Sequence, residues 1–314
     1  MLVQNKHSIS SFIIGCFILC GTVLTYAQQD PMYSLYAINK ALINPAYVGS
    51  SNFIVSNLSY RTQMVGLPGA PITDYFNLHA PIQKKHLGVG IKIVNDQTGP
   101  IKTLTATGTI SYHLGFAGGK LSFGLEGGMV NRSVDFSKLI SHDPNDPLAL
   151  NTVAAVTVPD LNFGFWYQRK QFYFGFSDYN MTQSHLDYTP KSQAQEYSNQ
   201  YFLLGWIWDL GGKWDLEPST LYKHVAGAPS QFDINCYLNF DQKFGVGGSY
   251  RTGDGVYFLA KYSITPSIRL AYSYDYALSP LSTFAAGSHE IMLSYRIKLL
   301  PPPEEKEIHP RYYF

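Results

Sequence analysis

The sequence predicts an all-β fold, a transmembrane outer-membrane antiparallel β-barrel of about 14 strands, and three observations lead to this prediction. Apolar and polar residues alternate with a period of two along most of the chain. The predicted connections between strands are alternately short and long. Charged residues make up only 14% of the chain, against about 25% in ordinary soluble domains, whereas Tyr, Phe and Gly are abundant.

The first 27 residues predict a secretory signal peptide and therefore export. Lys6 and His7 precede an uncharged apolar run from Phe12 to Leu24, and Thr25-Tyr26-Ala27 has the small-x-small pattern of a cleavage site. This run is shorter than the roughly 20 residues that a membrane-spanning helix needs. Residues 1–27 are therefore expected to be removed, which leaves Cys236 as the single cysteine and excludes an intramolecular disulfide.

The period-two pattern places apolar and polar side chains on opposite faces of each predicted strand. Between residues 267 and 277, for example, Ile268 and Leu270 share one face and Arg269 and Asp275 share the other. The segments with this pattern are 52–60, 73–80, 86–95, 102–114, 120–131, 158–168, 171–178, 198–209, 213–223, 230–240, 243–251, 255–263, 267–277 and 287–298. A soluble β-sandwich alternates too, so the pattern by itself leaves both architectures open.

The lengths of the connections favour the membrane barrel. Short connections follow the even-numbered segments at 81–85, 115–119, 169–170, 209–212, 241–242 and 265–266. Longer connections follow most odd-numbered segments at 61–72, 132–157, 179–197, 224–229 and 278–286, with 252–255 as a short exception. Outer-membrane barrels have short periplasmic turns and longer outer loops, whereas a sandwich has no reason to keep this asymmetry.

Two segments are predicted to lie outside the barrel of residues 52–298. Residues 28–51 lack strand periodicity, and we expect them to fold into the lumen or along the periplasmic rim. Residues 299–314 form a predicted periplasmic C-terminal tail that begins with the stiff spacer Pro301-Pro302-Pro303. The tail is either disordered or a short recognition peptide.

Several sequence blocks resemble one known family. The blocks are Gln29-Asp30-Pro31 with Tyr33 and Tyr36, Asn44-Pro45-Ala46-Tyr47-Val48-Gly49-Ser50, Tyr60-Arg61-x-Gln63-x-Val65-Gly66, Gly88-x-Gly90 and His289 to Arg296. Together they are similar to the PorP/SprF proteins. The resemblance implies an outer-membrane barrel of Bacteroidota that works with type IX secretion, in some organisms alongside gliding motility. Its implied partners are outer-membrane lipid, an exported protein with a C-terminal sorting domain, and periplasmic components of the secretion machinery.

The sequence contains none of the searched catalytic motifs, so we predict a protein that is not an enzyme and has no cofactor. A Gly-x-Ser-x-Gly elbow, a Walker loop, a paired-histidine zinc motif and a Cys-x-x-Cys are all lacking. The net charge of +1 gives no electrostatic case for nucleic acid. The predicted function is binding or anchoring of an exported protein and docking to periplasmic machinery. The alternative is a channel for small or hydrophobic solutes, and an outer-membrane enzyme ranks third.

Three groups of residues are the candidate sites. Charged residues on the lumen-facing phase, interpreted as a structural polar network rather than a channel lining, are Lys92, Glu126, Asp233, Arg269, Asp275, Glu290 and Arg296. Apolar and aromatic residues of the long outer loops, which could bind cargo, are Phe136, Leu139, Leu148, Leu150, Tyr179 and Tyr188. Residues for docking on the periplasmic side are Asn44, Pro45, Tyr47, Arg311, Tyr312, Tyr313 and Phe314.

Overall fold

The fold is a closed barrel of fourteen antiparallel strands, as the sequence predicted. The structure is a computed structural model that describes residues 31–139, 153–188 and 194–299. The predicted signal peptide and residues 300–314 of the predicted tail lie outside the described residues. Among the described residues, no helix has the length and apolar character needed to cross a membrane.

The barrel wall consists of consecutive strands that pair with their neighbours in the chain. These strands are β1 (Phe53–Thr62), β2 (Ile72–Ile82), β3 (Leu87–Thr98), β4 (Ile101–Phe116), β5 (Gly119–Asp135), β6 (Val153–Arg169), β7 (Phe172–Tyr179), β10 (Asn199–Trp206), β12 (Trp214–Val225), β13 (Gln231–Phe240), β14 (Phe244–Arg251), β15 (Gly255–Ser263), β16 (Ile268–Ala277) and β17 (Ser288–Lys298). The first and last of them pair, with Phe53 opposite Lys298, and this pairing closes the barrel.

Three further short strands lie outside the fourteen. β11 (Trp208–Gly211) continues β10 beyond Ile207 and pairs with the start of β12. β8 (His185–Leu186) and β9 (Ala194–Gln195) form a separate small hairpin in the connection after β7. The remaining elements are 3-10 helices at Leu35–Ala37, Lys40–Leu42, Pro45–Tyr47, Gln83–Lys85, Phe136–Lys138 and Pro280–Thr283.

Side chains alternate between the outer surface and the lumen along the strands. On β13, Ile234 is 63% exposed on the outer surface, whereas its neighbours Asp233 and Asn235 are buried toward the lumen. On β17, Ile291 and Leu293 are exposed in the same way. The apolar outer surface suits contact with lipid, and the polar side chains are kept in the interior. The closed sheet pairs the backbone groups of its strands, as a membrane-spanning structure requires.

The two ends of the barrel differ in their connections. At one end, where β1 begins at Phe53, the connections are 83–86, 117–118, 170–171, 212–213, 241–243 and 264–267, and we call this the turn end. At the other end, where β1 ends at Thr62, they are 63–71, 99–100, 136–152, 180–198, 226–230, 252–254 and 278–287, and we call this the loop end. The asymmetry matches the prediction, with residues 99–100 as a second short loop-end connection.

Two strands extend further than the sequence pattern predicted. β5 continues to Asp135 and β6 begins at Val153, and the two pair along their full length, so that Asp135 lies opposite Val153. The predicted segments ended β5 at residue 131 and began β6 at residue 158. The hydrogen-bonded ladder continues beyond both limits toward the loop end, because it is formed by backbone groups and not by the side chains that carry the alternation.

Residues 31–51 lie inside the barrel, and we call them the luminal segment. Their three 3-10 helices are too short to satisfy the backbone by themselves, so lumen-facing side chains of the wall complete the hydrogen bonds. The segment begins near the loop end, where Ser34 N donates to Glu290 Oε2 over 2.8 Å. It reaches the turn end at Ser50, whose carbonyl accepts from Lys120 Nζ at 2.7 Å, just before β1 begins. Of the two placements left open by the sequence, the structure has the lumen.

Candidate functional site

The luminal segment is held to the wall at Asn44-Pro45-Ala46-Tyr47, the most recognisable of its sequence blocks. Asn44 caps the third 3-10 helix by accepting from Ala46 N at 2.9 Å. Its amide nitrogen donates to the carbonyls of Phe165 and Phe176 at 2.9 and 3.1 Å, on β6 and β7. One side chain thus both shapes the segment and attaches it to two strands. Asn44 and Pro45 are buried, so neither is available to a docking partner in this conformation.

Close approach of the segment to the wall depends on a small residue opposite it. A Cβ on Gly124 of β5 would collide with the backbone of Pro45 and Ala46. Tyr47, which is only partly buried, packs edge-on against Trp166 with ring centroids 5.1 Å apart. The glycine therefore sets the depth at which the segment crosses the lumen.

Three ion-pair clusters join strands across the lumen between its middle and the loop end, and we call this half the upper lumen. Lys92 Nζ lies 2.5 Å from Glu126 Oε1, and the same carboxylate accepts from Thr109 and Asn162. Both charged residues are buried. The pair therefore joins β3 and β5, with the hydrogen bonds that a buried carboxylate needs.

The second cluster joins the luminal segment to β1, β16 and β17. Arg61 Nη2 lies 2.7 Å from Asp275 Oδ2, and its Nη1 lies 3.4 Å from Glu290 Oε2. Ser34 adds its hydroxyl, which donates to Asp275 at 2.7 Å. Glu290 is fully buried, and its carboxylate is stabilised by Arg61, by the backbone N–H groups of Ser34 and Leu35, and by the Ser59 hydroxyl.

The third cluster is a bidentate pair on β13 and β14. Arg251 Nε and Nη2 each lie 2.9 Å from one oxygen of Asp233. The hydroxyls of Tyr36 and Tyr257 donate to the same carboxylate at 3.0 and 2.8 Å. The buried pair thereby also holds Tyr36 of the luminal segment.

Lys40 is a charged residue of the luminal segment that contacts the part of the wall nearer the turn end. Its Nζ lies 2.9 Å from Glu217 Oε1 on β12 and 4.9 Å from the centroid of Tyr173. Both side chains are largely buried, so the Glu217 carboxylate compensates the Lys40 ammonium ion for the water that it loses.

The predicted luminal residues divide into two sets. The structure places Lys92, Glu126, Asp233, Asp275 and Glu290 in the three clusters, whereas Arg269 and Arg296 have no carboxylate partner among the described residues. Sequence reasoning missed Arg61 and Arg251. Both lie on the lumen-facing phase of their strands. Arg251 falls within the predicted segment 243–251, and extending the segment 52–60 by one residue would have found Arg61.

The predicted cargo residues of the outer loops lie in different environments. Leu139 is 50% exposed at the loop end, and Phe136 is half-buried in the 3-10 helix after β5. Tyr188 is partly buried against Val130, Val158 and Leu186. Tyr179 departs from the expectation, since it ends β7 and is only 8% exposed. Its ring faces the lumen beneath Lys92, because the inward phase of β7 continues to that residue. Leu148 and Leu150 lie outside the described residues.

A cavity of about 110 Å³ opens between the luminal segment and the wall near the loop end. Its lining combines the start of the segment with apolar and polar wall residues, among them Met32, Tyr75, Val94, Tyr179 and Tyr201. The hairpin of β8 and β9 covers one side of this end, since Leu186 is fully buried against Val130 and Val158. Of the predicted docking residues, Arg311, Tyr312, Tyr313 and Phe314 lie outside the described residues.

The fold is similar to solved outer-membrane hydrocarbon channels. The toluene transporter TbuX of Ralstonia pickettii aligns with a TM-score of 0.54 at 8% identity, covering 82% of this chain and 93% of that one. The monoaromatic hydrocarbon channel CymD aligns with the same TM-score of 0.54 at 10% identity, covering 84% of this chain and 93% of that one. At such identities the similarity concerns the fold alone.

The sequence comparisons give a more specific result. No curated protein matches the sequence significantly. The family described as "Type IX secretion system membrane protein PorP/SprF" matches residues 25–295, which include the luminal segment and all but the end of the last strand. Because the match extends over most of the sequence, this chain belongs to the PorP/SprF family of type IX secretion system membrane proteins, as its sequence blocks predicted.

Proposed function

We propose that the barrel holds an exported protein with a C-terminal sorting domain at its loop end and docks to periplasmic secretion components at its turn end. Membership of the PorP/SprF family is the observation that carries this proposal, since it supports a role in type IX secretion. The barrel itself supports binding rather than catalysis. The buried carboxylates Asp233, Asp275 and Glu290 are bound in ion pairs that also hold the luminal segment.

Two features of the loop end suit it to hold a protein. Leu139 and Phe136 present apolar surface on a connection longer than hairpin closure requires, which two to five residues accomplish. The cavity beside Met32 and Tyr75 has room for an apolar side chain of a bound segment. We propose that Phe136 and Leu139, with Leu148 and Leu150 of the same connection, contact the cargo.

For the turn end, the docking role moves away from Asn44 and Pro45. Their side chains anchor the luminal segment, so a partner could reach them only if that segment were displaced. We keep Arg311, Tyr312, Tyr313 and Phe314 as candidate docking residues, because the chain leaves β17 at the turn end. We include gliding motility among the processes that this anchoring role serves.

The second candidate is a channel for small or hydrophobic solutes, and the fold shared with TbuX and CymD favours it. The luminal segment argues against a channel, since residues 31–51 occupy the interior and bind β17, β12 and β7 on different sides of the wall. Deleting the gene separates the two candidates. Loss of a particular surface protein supports anchoring, whereas normal secretion with reduced uptake of a hydrophobic solute supports transport.

Labelling of introduced cysteines tests the orientation on which both assignments depend. In a Cys236→Ser background, Asn145→Cys at the loop end should react in intact cells with a membrane-impermeant maleimide. The matched control Lys243→Cys, on the turn after β13, should react only after the cells are opened. The reverse pattern would place the loop end in the periplasm and contradict the proposal.

A further inference from the structure

Three cations share the lumen face at the turn end. Lys261, Arg269 and Arg296 lie on the neighbouring strands β15, β16 and β17. Arg269 is opposite Ser263 on one side and Ser294 on the other, which makes Lys261 and Arg296 its diagonal neighbours. Diagonal positions in a sheet are about 7–8 Å apart, within reach of long side chains. We call these three residues the turn-end cation cluster.

The cluster lacks the carboxylates that neutralise the rest of the lumen. Within the described ranges, none of its members forms an ion pair. Lys261 Nζ donates to Asn239 Oδ1 at 2.6 Å, and Arg296 Nη2 donates to the Pro266 carbonyl at 3.2 Å. The Nε atoms of both arginines are buried without a hydrogen-bond partner. Glu217, an acid of the part of the wall nearer the turn end, is already bound by Lys40 and Tyr173.

The hydroxyl of Tyr237 is a neutral hydrogen-bond donor that lies next to this cluster. Tyr237 of β13 is 4% exposed, and its hydroxyl has no hydrogen-bond partner among the described residues. A Cβ on Gly245 would lie 2.5 Å from that hydroxyl oxygen, so the absence of a side chain lets the Tyr237 ring lie across β14. Gly245 is opposite Lys261 on β15, and Lys261 Nζ lies 5.4 Å from the Tyr237 ring centroid. The unpartnered hydroxyl thus lies beside the cations.

We propose that Tyr237 and the turn-end cation cluster bind a carboxylate carried by an acidic segment of a partner protein. Unpaired buried donors are unfavourable, and an incoming anion would satisfy several of them at once. Arginine binds a carboxylate through two parallel N–H bonds, and the tyrosine hydroxyl can donate to the same group. The identity of the partner as a secretion component rests on the proposed function, whereas the site itself does not.

The position of the cluster favours a peptide over a lipid headgroup. Its members face the lumen, and the outward residues between them are Tyr262, Leu270 and Tyr295. Lipid headgroups lie around the outside of the wall, where they meet these outward residues. Arg269 and Arg296 remain partly exposed, so a segment entering from the turn end can reach them.

Peptide binding to the purified full-length protein in detergent tests the site. A fluorescent hexaglutamate peptide should bind, as measured by anisotropy, and a hexaglutamine peptide should not. Combining Arg269→Gln with Arg296→Gln should weaken binding at least about tenfold, since two charge-assisted contacts are lost. The control pair Lys85→Gln with Lys243→Gln removes the same charge from exposed turns of the same end, and should change binding less than about twofold.

Tyr237→Phe provides an independent readout, because it removes only the hydroxyl. It should weaken hexaglutamate binding by about threefold to tenfold while leaving folding unchanged, and it carries the test if the double arginine variant fails to fold. Equal losses in the arginine and lysine pairs would reduce the effect to general electrostatics and overturn the site. If only a chain ending at Leu299 binds the peptide, the chain's own Glu304, Glu305 and Glu307 compete for the site, and the assignment to a partner fails.

The proposed function can fail separately from this site. Normal surface display after gene deletion would contradict anchoring without affecting peptide binding in detergent. Loss of display together with an absence of peptide binding would leave anchoring intact and overturn the carboxylate site.

Discussion

The upper lumen and the turn end both contain lumen-facing arginines, but only those of the upper lumen are paired with carboxylates in the described structure. In the upper lumen, Arg61 and Arg251 each meet a carboxylate within 3 Å, and tyrosine and serine hydroxyls complete the network. At the turn end, Arg269 and Arg296 meet no carboxylate in the described structure. The difference separates cations that hold the barrel together from cations that are available to a ligand.

The largest expected effect tests the paired side of this comparison. Arg251→Ala would leave Asp233 buried with only the hydroxyls of Tyr36 and Tyr257, and removing one member of a buried pair costs about 3–5 kcal/mol. Urea unfolding in lipid vesicles, followed by tryptophan fluorescence, should show this loss. An unchanged unfolding midpoint would mean that the upper pairs are as dispensable as the turn-end cations.

The second prediction concerns the luminal segment that connects the two regions. Gly124→Ala should destabilise the barrel by up to about 3 kcal/mol, because its Cβ meets the backbone of Pro45 and Ala46 and these cannot move independently. Gly108→Ala is the control, since a Cβ there meets nothing within 4 Å. Planar-bilayer conductance should rise in the Gly124 variant alone if the segment leaves the lumen. Equal stability and equal conductance of the two variants would show that Pro45 and Ala46 do not pack closely against Gly124.

The third prediction concerns Lys40, the cation of the luminal segment that pairs with Glu217 of the wall. Lys40→Met should cost about 1.5–2 kcal/mol in urea unfolding, since Glu217 would keep only the Tyr173 hydroxyl. An unchanged free energy of unfolding would mean that the pair of Lys40 and Glu217 does not stabilise the fold.

The smallest expected effect concerns Arg269, a cation of the turn end that has no carboxylate partner in the described structure. Arg269→Ala should change the free energy of unfolding by less than about 1 kcal/mol, and the change could be stabilising, because no carboxylate is left unpaired. The same urea titration used for Arg251→Ala measures it. A loss as large as that of Arg251→Ala would show that Arg269 is structural and would remove the distinction between the two regions.

The sequence carried most of the information about the wall. Strand alternation is a local property, so Ile234 and Asp233 could be assigned to opposite faces without knowing their neighbours. The end of each strand was less predictable. Tyr179 was placed on an outer loop although it completes β7, because a polar stretch after it resembles a connection. The family was readable as well, since its blocks are contiguous stretches of sequence.

The pairing of charges inside the lumen could not be predicted from local pattern. Arg61 and Asp275 are 214 positions apart, and both the barrel closure and the luminal segment are needed to bring them together at 2.7 Å. Alternation therefore determined that Arg269, Arg296, Asp233 and Glu290 face inward, but it could not distinguish the paired from the unpaired. Only the tertiary structure decided this, because the partner of a lumen-facing charge is set by strand register and by the path of residues 31–51 across the interior.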